Sequence, residues 1–173
     1  MTKEQRNLIY LGLIGGAFNI VWWFIASGFF EQGNLDFGLG EILGYTAMLL
    51  AFSTVFIGVK RHRDVVLDGK ISFKGAFGNA MIVVGVAAAV YVIGWEIYYP
   101  NFAGDFGQEY GEYMLQNLKD QGLSAEEIAK EKANMDLWME RYESPLYRIP
   151  ITLMEILPLG LIVALVSALI LKK

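Results

Sequence analysis

The chain has 173 residues, with 14 Lys and Arg against 18 Asp and Glu, one His and no Cys. Its hydrophobic fraction of 55% and mean hydropathy of +0.41 exceed what a soluble domain of this size carries, since such a domain covers its surface with charge. The missing cysteines exclude a disulfide scaffold, Cys-based zinc sites and thiol catalysis.

A multi-His metal site or a Ser-His-Asp triad would have to be built around the single histidine, His62. No Walker loop, HExxH or G-x-S-x-G occurs. The expectation is a protein without catalytic residues, metal or cofactor.

A bilayer core of roughly 30 Å takes about 20 mostly apolar residues of helix. Four segments meet that requirement: 8–30, 42–59, 76–99 and 149–171. The first follows Lys3 and Arg6 as a signal peptide would, but it is too long for an h-region and no A-x-A site follows, so it reads as a retained helix. The fold class expected is an all-α integral membrane protein with four transmembrane helices and an extracytoplasmic helical hairpin between the third and fourth.

Orientation follows from the basic residues. The first connection, "EQGNLDFGLGE", carries none. The second, "KRHRDVVLDGKISFKG", carries Lys60, Arg61, Arg63, Lys70 and Lys74, and the chain ends in Lys172 and Lys173. By the positive-inside rule both termini are cytoplasmic. Lys60, Arg61, Arg63, Lys70 and Lys74 are also the residues expected to contact anionic lipid headgroups. His62 is expected on an exposed loop at that surface. No aromatic platform accompanies the cations, which argues against nucleic acid as a partner.

The third connection, 100–147, is the only sizeable polar piece. "SAEE", Ser124 to Glu127, matches a capping box, and Gly122 stands where a helix C-terminus favours glycine. Phe106, Tyr110, Tyr113, Met114 and Leu118 recur at helical spacing, as do Ile128, Met135, Trp138, Met139 and Tyr142. Two helices are therefore predicted over 105–143. Their apolar stripes either pack on each other and the headgroup layer or form a docking surface for a membrane-protein partner.

Three carboxylates lie in or at the spans: Glu41, Glu96 and Glu155. A charge deep in hydrocarbon costs at least roughly 2.5 kcal/mol, so such residues usually face the bundle interior or find a partner. Glu41 can sit at a helix N-terminus, and Glu96 can reach the headgroup zone beside Trp95, Tyr98 and Tyr99. Glu155 lies further in, near Pro158, which leaves the Met154 carbonyl without its helical donor. If Glu96 and Glu155 converge, they share a proton or a cation, with Arg148, Asn19 and Tyr98 as candidate partners. The alternative is a structural polar contact between helices.

The stretches "GEILGYTAMLLAFSTVFIGVKRHRD", "GKISFKGAF", "YVIGWEIYY" and "TLMEILPLGLIVALVSALILKK" resemble a family of small bacterial four-span proteins frequent in Bacteroidetes-type genomes, known only as a domain of unknown function. The resemblance spans nearly the whole chain. It implies an inner-membrane location and a four-helix architecture, and it transfers no activity and no catalytic residues.

Three readings of function remain. The first is a non-enzymatic accessory or scaffold protein of a membrane complex, and the second a small transporter or ion-handling protein using Glu96 and Glu155. The third, a lipid- or quinone-acting enzyme, lacks a constellation of residues to perform the chemistry.

Overall fold

A computed structural model describes residues 3–173; the side chains of Lys3, Glu4 and Glu31 are not described, so the Lys3 charge that precedes the first span lies outside it. The described residues form six helices and no strand: α1 (Lys3–Glu31), α2 (Phe37–Val66), α3 (Phe73–Phe102), α4 (Phe106–Asp120), α5 (Ala125–Tyr142) and α6 (Pro145–Leu171). Four of them, α1, α2, α3 and α6, are long and apolar enough to cross a membrane.

The helices overrun the apolar runs at both ends, except that α6 stops at Leu171 where its run does. Asp36 caps α2, its Oδ1 accepting from the Leu39 N–H at 2.9 Å, so the helix starts before the apolar run does. At the far end "KRHRD" continues the same helix, supported by the i,i+4 pair of Lys60 and Asp64 at 3.1 Å. His62, expected on an exposed loop, is therefore a helical residue and only partly exposed. Hydropathy marks where a helix is greasy, whereas caps and ion pairs set where it ends. Pro145 opens α6, a position where its missing N–H costs no helical bond.

By contacts the chain divides into two compact units. One comprises the chain up to Trp95 together with Leu153–Lys173, and the other Glu96–Thr152. In the first, small residues bring backbones together. A Cβ on Gly12 would lie 2.6 Å from the Val86 Cβ, and one on Gly16 would lie 2.5 Å from the Val90 Cβ. On α6, Gly160 faces Val84 and Phe52 in the same way.

Phe52, Val55, Val83, Val84 and Ile156 are fully buried among these contacts. Trp23 packs on Trp95 with ring centroids 4.8 Å apart and donates its Nε1–H to the Tyr91 hydroxyl at 3.2 Å. At the other end Arg63 donates to the Leu171 carbonyl at 3.3 Å, capping α6, and the Lys173 N–H donates to the Ile71 carbonyl at 2.9 Å.

The second unit holds the two expected hairpin helices. Helix α4 stops because Gly122 adopts φ +81°, which lets the Gly122 N–H reach Lys119 O at 2.9 Å and the Leu123 N–H reach Leu118 O at 3.3 Å. This is a Schellman closure, and a residue with a Cβ disfavours that backbone angle. Helix α5 starts with both halves of the capping box. The Ser124 Oγ accepts from the Glu127 N–H at 3.3 Å, and a Glu127 carboxylate oxygen accepts from the Ser124 N–H at 2.9 Å. Gly107 on α4 makes room for the Met139 side chain of α5, and Gly111 stands beside Met135. Most of the two predicted stripes is half-buried as a result, but Trp138 stays 45% exposed, beside an exposed Leu137.

Candidate functional site

The most completely built polar site lies in the second unit and centres on Arg148. The side chain stands in the first turns of α6 and is only 3% exposed. Its Nε donates to Glu96 Oε1 at 2.8 Å and its Nη2 to Glu96 Oε2 at 2.8 Å, a bidentate pairing of guanidinium and carboxylate. Its Nη1 donates to the carbonyls of Tyr142 at 3.0 Å and Glu143 at 3.2 Å, where α5 ends. A helix C-terminus carries unpaired carbonyls and partial negative charge, and an arginine satisfies both.

Aromatic rings close the site. The guanidinium carbon lies 4.8 Å from the centre of the Tyr99 ring and 5.9 Å from that of Tyr142. Tyr99 packs edge-on against Tyr142, and its hydroxyl donates to Glu143 Oε1 at 3.1 Å. Trp138 stacks on the other side of Tyr142 with centroids 4.9 Å apart. Thr152 donates to the Arg148 carbonyl at 3.0 Å, one turn further along α6. One cation thus ties together the end of α3, the end of α5 and the start of α6. With four of the five N–H donors of Arg148 already in use, this cluster is chemically a clamp.

The other expected site residues fall as follows. Tyr98 is buried and stacks on Phe102. Glu41 and Glu155 lie in the first unit, near enough for their charges to interact, and Tyr45 is within the same reach of both. Glu41 is exposed and Glu155 half-buried. Glu41 is not the opening residue of its helix, since Asp36 takes that role. Asn19 is buried on α1, its Nδ2 without a hydrogen-bond partner among the described residues.

Of the five expected headgroup contacts, Lys60 and Arg63 both pair with Asp64. Arg61, Lys70 and Lys74 form no ion pair among the described residues. Among those residues, no three of His, Cys, Asp and Glu converge where they could hold a metal ion.

Sequence reasoning named Arg148 and Glu96 but missed the rest of the clamp. Tyr99 passed as an interfacial aromatic, and Tyr142 as one residue of a stripe. Glu143 went unnoticed because it follows α5 and belongs to no pattern. Two tyrosines and a glutamate near span-end charges were the signal available. Their convergence depends on how α5 turns into α6 at Ser144.

An all-helical chain with four apolar helices of membrane-crossing length, and a polar clamp built from α3, α5 and α6, defines a small multi-pass membrane protein. Residues 10–173 match the family described as "Protein of unknown function (DUF4199)", and the chain belongs to that family. No curated protein and no solved structure matches it.

Proposed function

We propose that the protein is a non-enzymatic accessory or scaffold component of a bacterial inner-membrane complex. In this reading both termini are cytoplasmic and the α4–α5 hairpin is extracytoplasmic, as the distribution of Lys and Arg suggests. The observation that carries it is the Arg148 clamp, which fixes the end of α5 directly below an exposed Leu137–Trp138 pair. A surface held rigidly before binding loses less conformational entropy on docking, and a tryptophan at its centre supplies the contact area typical of interface anchors.

The test is a photo-crosslinking amino acid placed at Leu137 or Trp138 in native membranes. The expected result is one discrete protein adduct, weakened when Glu96→Gln loosens the clamp. Crosslinks to lipid alone would sink the proposal.

A second reading, ion or proton handling, draws on Glu155, Glu41 and Tyr45, which share one neighbourhood in the first unit. Glu96 is less available to it, because both its carboxylate oxygens are occupied by Arg148. That reading requires Glu155→Gln to abolish ion movement into proteoliposomes while the fold is retained. Unchanged flux, or none in the parent protein, would remove it.

A further inference from the structure

Between the beginning of α1 and the end of α2 lies a cleft of about 370 Å³. Leu8, Leu11 and Val65 form its apolar wall, and Asn7, Arg61 and His62 its polar one. The two polar residues from α2 have a property in common: neither has a side-chain partner among the described residues. The Nδ1 of His62 is buried and has no hydrogen-bond partner among the described residues. Buried polar nitrogens are nearly always bonded, and because His62 lines the cleft, a turn of its imidazole would offer that nitrogen to an acceptor there.

Arg61 is the second indication. The run Lys60–Asp64 contains one acid, and Asp64 takes Lys60 at 3.1 Å and Arg63 at 2.6 Å. Arg61 alone of these three cations has no ion pair among the described residues. An uncommitted guanidinium next to an unpaired imidazole nitrogen favours a phosphate, whose oxygens accept from both. The apolar wall beside them favours a ligand that carries hydrocarbon as well. Cleft volumes in this range suit a headgroup-sized fragment rather than a whole lipid.

We propose that this cleft binds one anionic glycerophospholipid. Arg61 and His62 hold its phosphodiester, the Asn7 amide faces the glycerol oxygens, and the first acyl carbons run along Leu8 and Leu11. This differs from the diffuse attraction of a basic segment to an anionic surface, which requires no cleft and treats all five cations of residues 60–74 alike.

The experiment is native mass spectrometry of the full chain released from mixed micelles of phosphatidylglycerol and phosphatidylcholine. The expected spectrum shows one phosphatidylglycerol retained, with phosphatidylcholine lost. Arg61→Gln and His62→Gln each reduce the retained fraction about fivefold, whereas Lys70→Gln, which loses the same charge as Arg61→Gln but outside the cleft, leaves it unchanged. Millimolar inorganic phosphate does not displace the lipid.

Equal loss in the Lys70→Gln protein would overturn the proposal in favour of diffuse attraction. Equal retention of phosphatidylcholine would leave only acyl packing, and displacement by free phosphate would make the site one for a soluble anion. The parent protein offers an independent check, because His62 is its only histidine. Its ring nitrogen resonances should move when phosphatidylglycerol, but not phosphatidylcholine, is added. Absence of that shift refutes the site whatever the variants do.

Discussion

Arg148 shows why a charge can sit at the end of an apolar helix without destabilising it. Its ionic partner, two carbonyls and two aromatic faces replace the water it has lost. Removing one partner of a buried ion pair is costly because the remaining charge is stranded, whereas removing both can be nearly neutral. Glu96→Gln should therefore destabilise the protein by roughly 3 kcal/mol. Glu96→Met combined with Arg148→Met should recover much of that loss. Thermal unfolding in detergent measures both, and equal destabilisation by the single and double changes would contradict the clamp. The sequence placed Glu96 and Arg148 near the ends of their spans and made them candidate partners. It left open whether Glu96 would turn to Arg148 or to another carboxylate, because side-chain direction depends on helix rotation.

At the scale of elements, chain ends and close contacts carry the testable content. The capping box on α5 satisfies N–H groups that the first turn leaves open, and Ser124→Ala should cost about 1 kcal/mol of hairpin stability. The Ser124 hydroxyl and N–H hold the Glu127 carboxyl below its ordinary range. A carboxylate depressed in the folded state contributes stability that is complete above its unfolded pKa and lost as pH falls through the folded one. The cap should thus weaken below about pH 4, with the Ser124→Ala protein showing a smaller loss over that interval. Amide exchange in α5 followed across that range reads the difference, and a flat profile would contradict the box.

Helix α1 depends on the absence of side chains instead. Gly16→Ala would press a methyl group against the Val90 Cβ and the Ala87 carbonyl, neither of which can rotate away. Overpacking of this kind costs roughly 1–3 kcal/mol. Gly28→Ala, which meets nothing within 4 Å, should cause no destabilisation in the same unfolding assay. The sequence offered "GLIGG" as a packing motif, but which neighbour each glycine met was a matter of tertiary contact.

For the whole molecule, the lack of cysteine makes topology directly measurable. Gln121→Cys in the α4–α5 turn should react with a membrane-impermeant thiol reagent on intact cells. Lys70→Cys should react only after the membrane is opened. The reverse pattern would invert the proposed orientation, and labelling of both on intact cells would refute it.

What the sequence determined by itself was set by the solvent and by the local chain. Apolar length fixed four helices, since backbone groups in lipid must bond within their own segment, and "DQG" with "SAEE" fixed where α4 stops and α5 starts. Tertiary structure decided where the buried charges and polar groups went. It gave the Glu96 carboxylate to Arg148, set Glu41 near Glu155, and left the Nδ1 of the cleft-lining His62 without a partner among the described residues. Those outcomes depend on the rotation and depth of each helix, fixed by close contacts such as Gly12 on Val86 and Gly160 on Phe52. A one-dimensional pattern carries the period of a helix but not the azimuth at which it meets its neighbours.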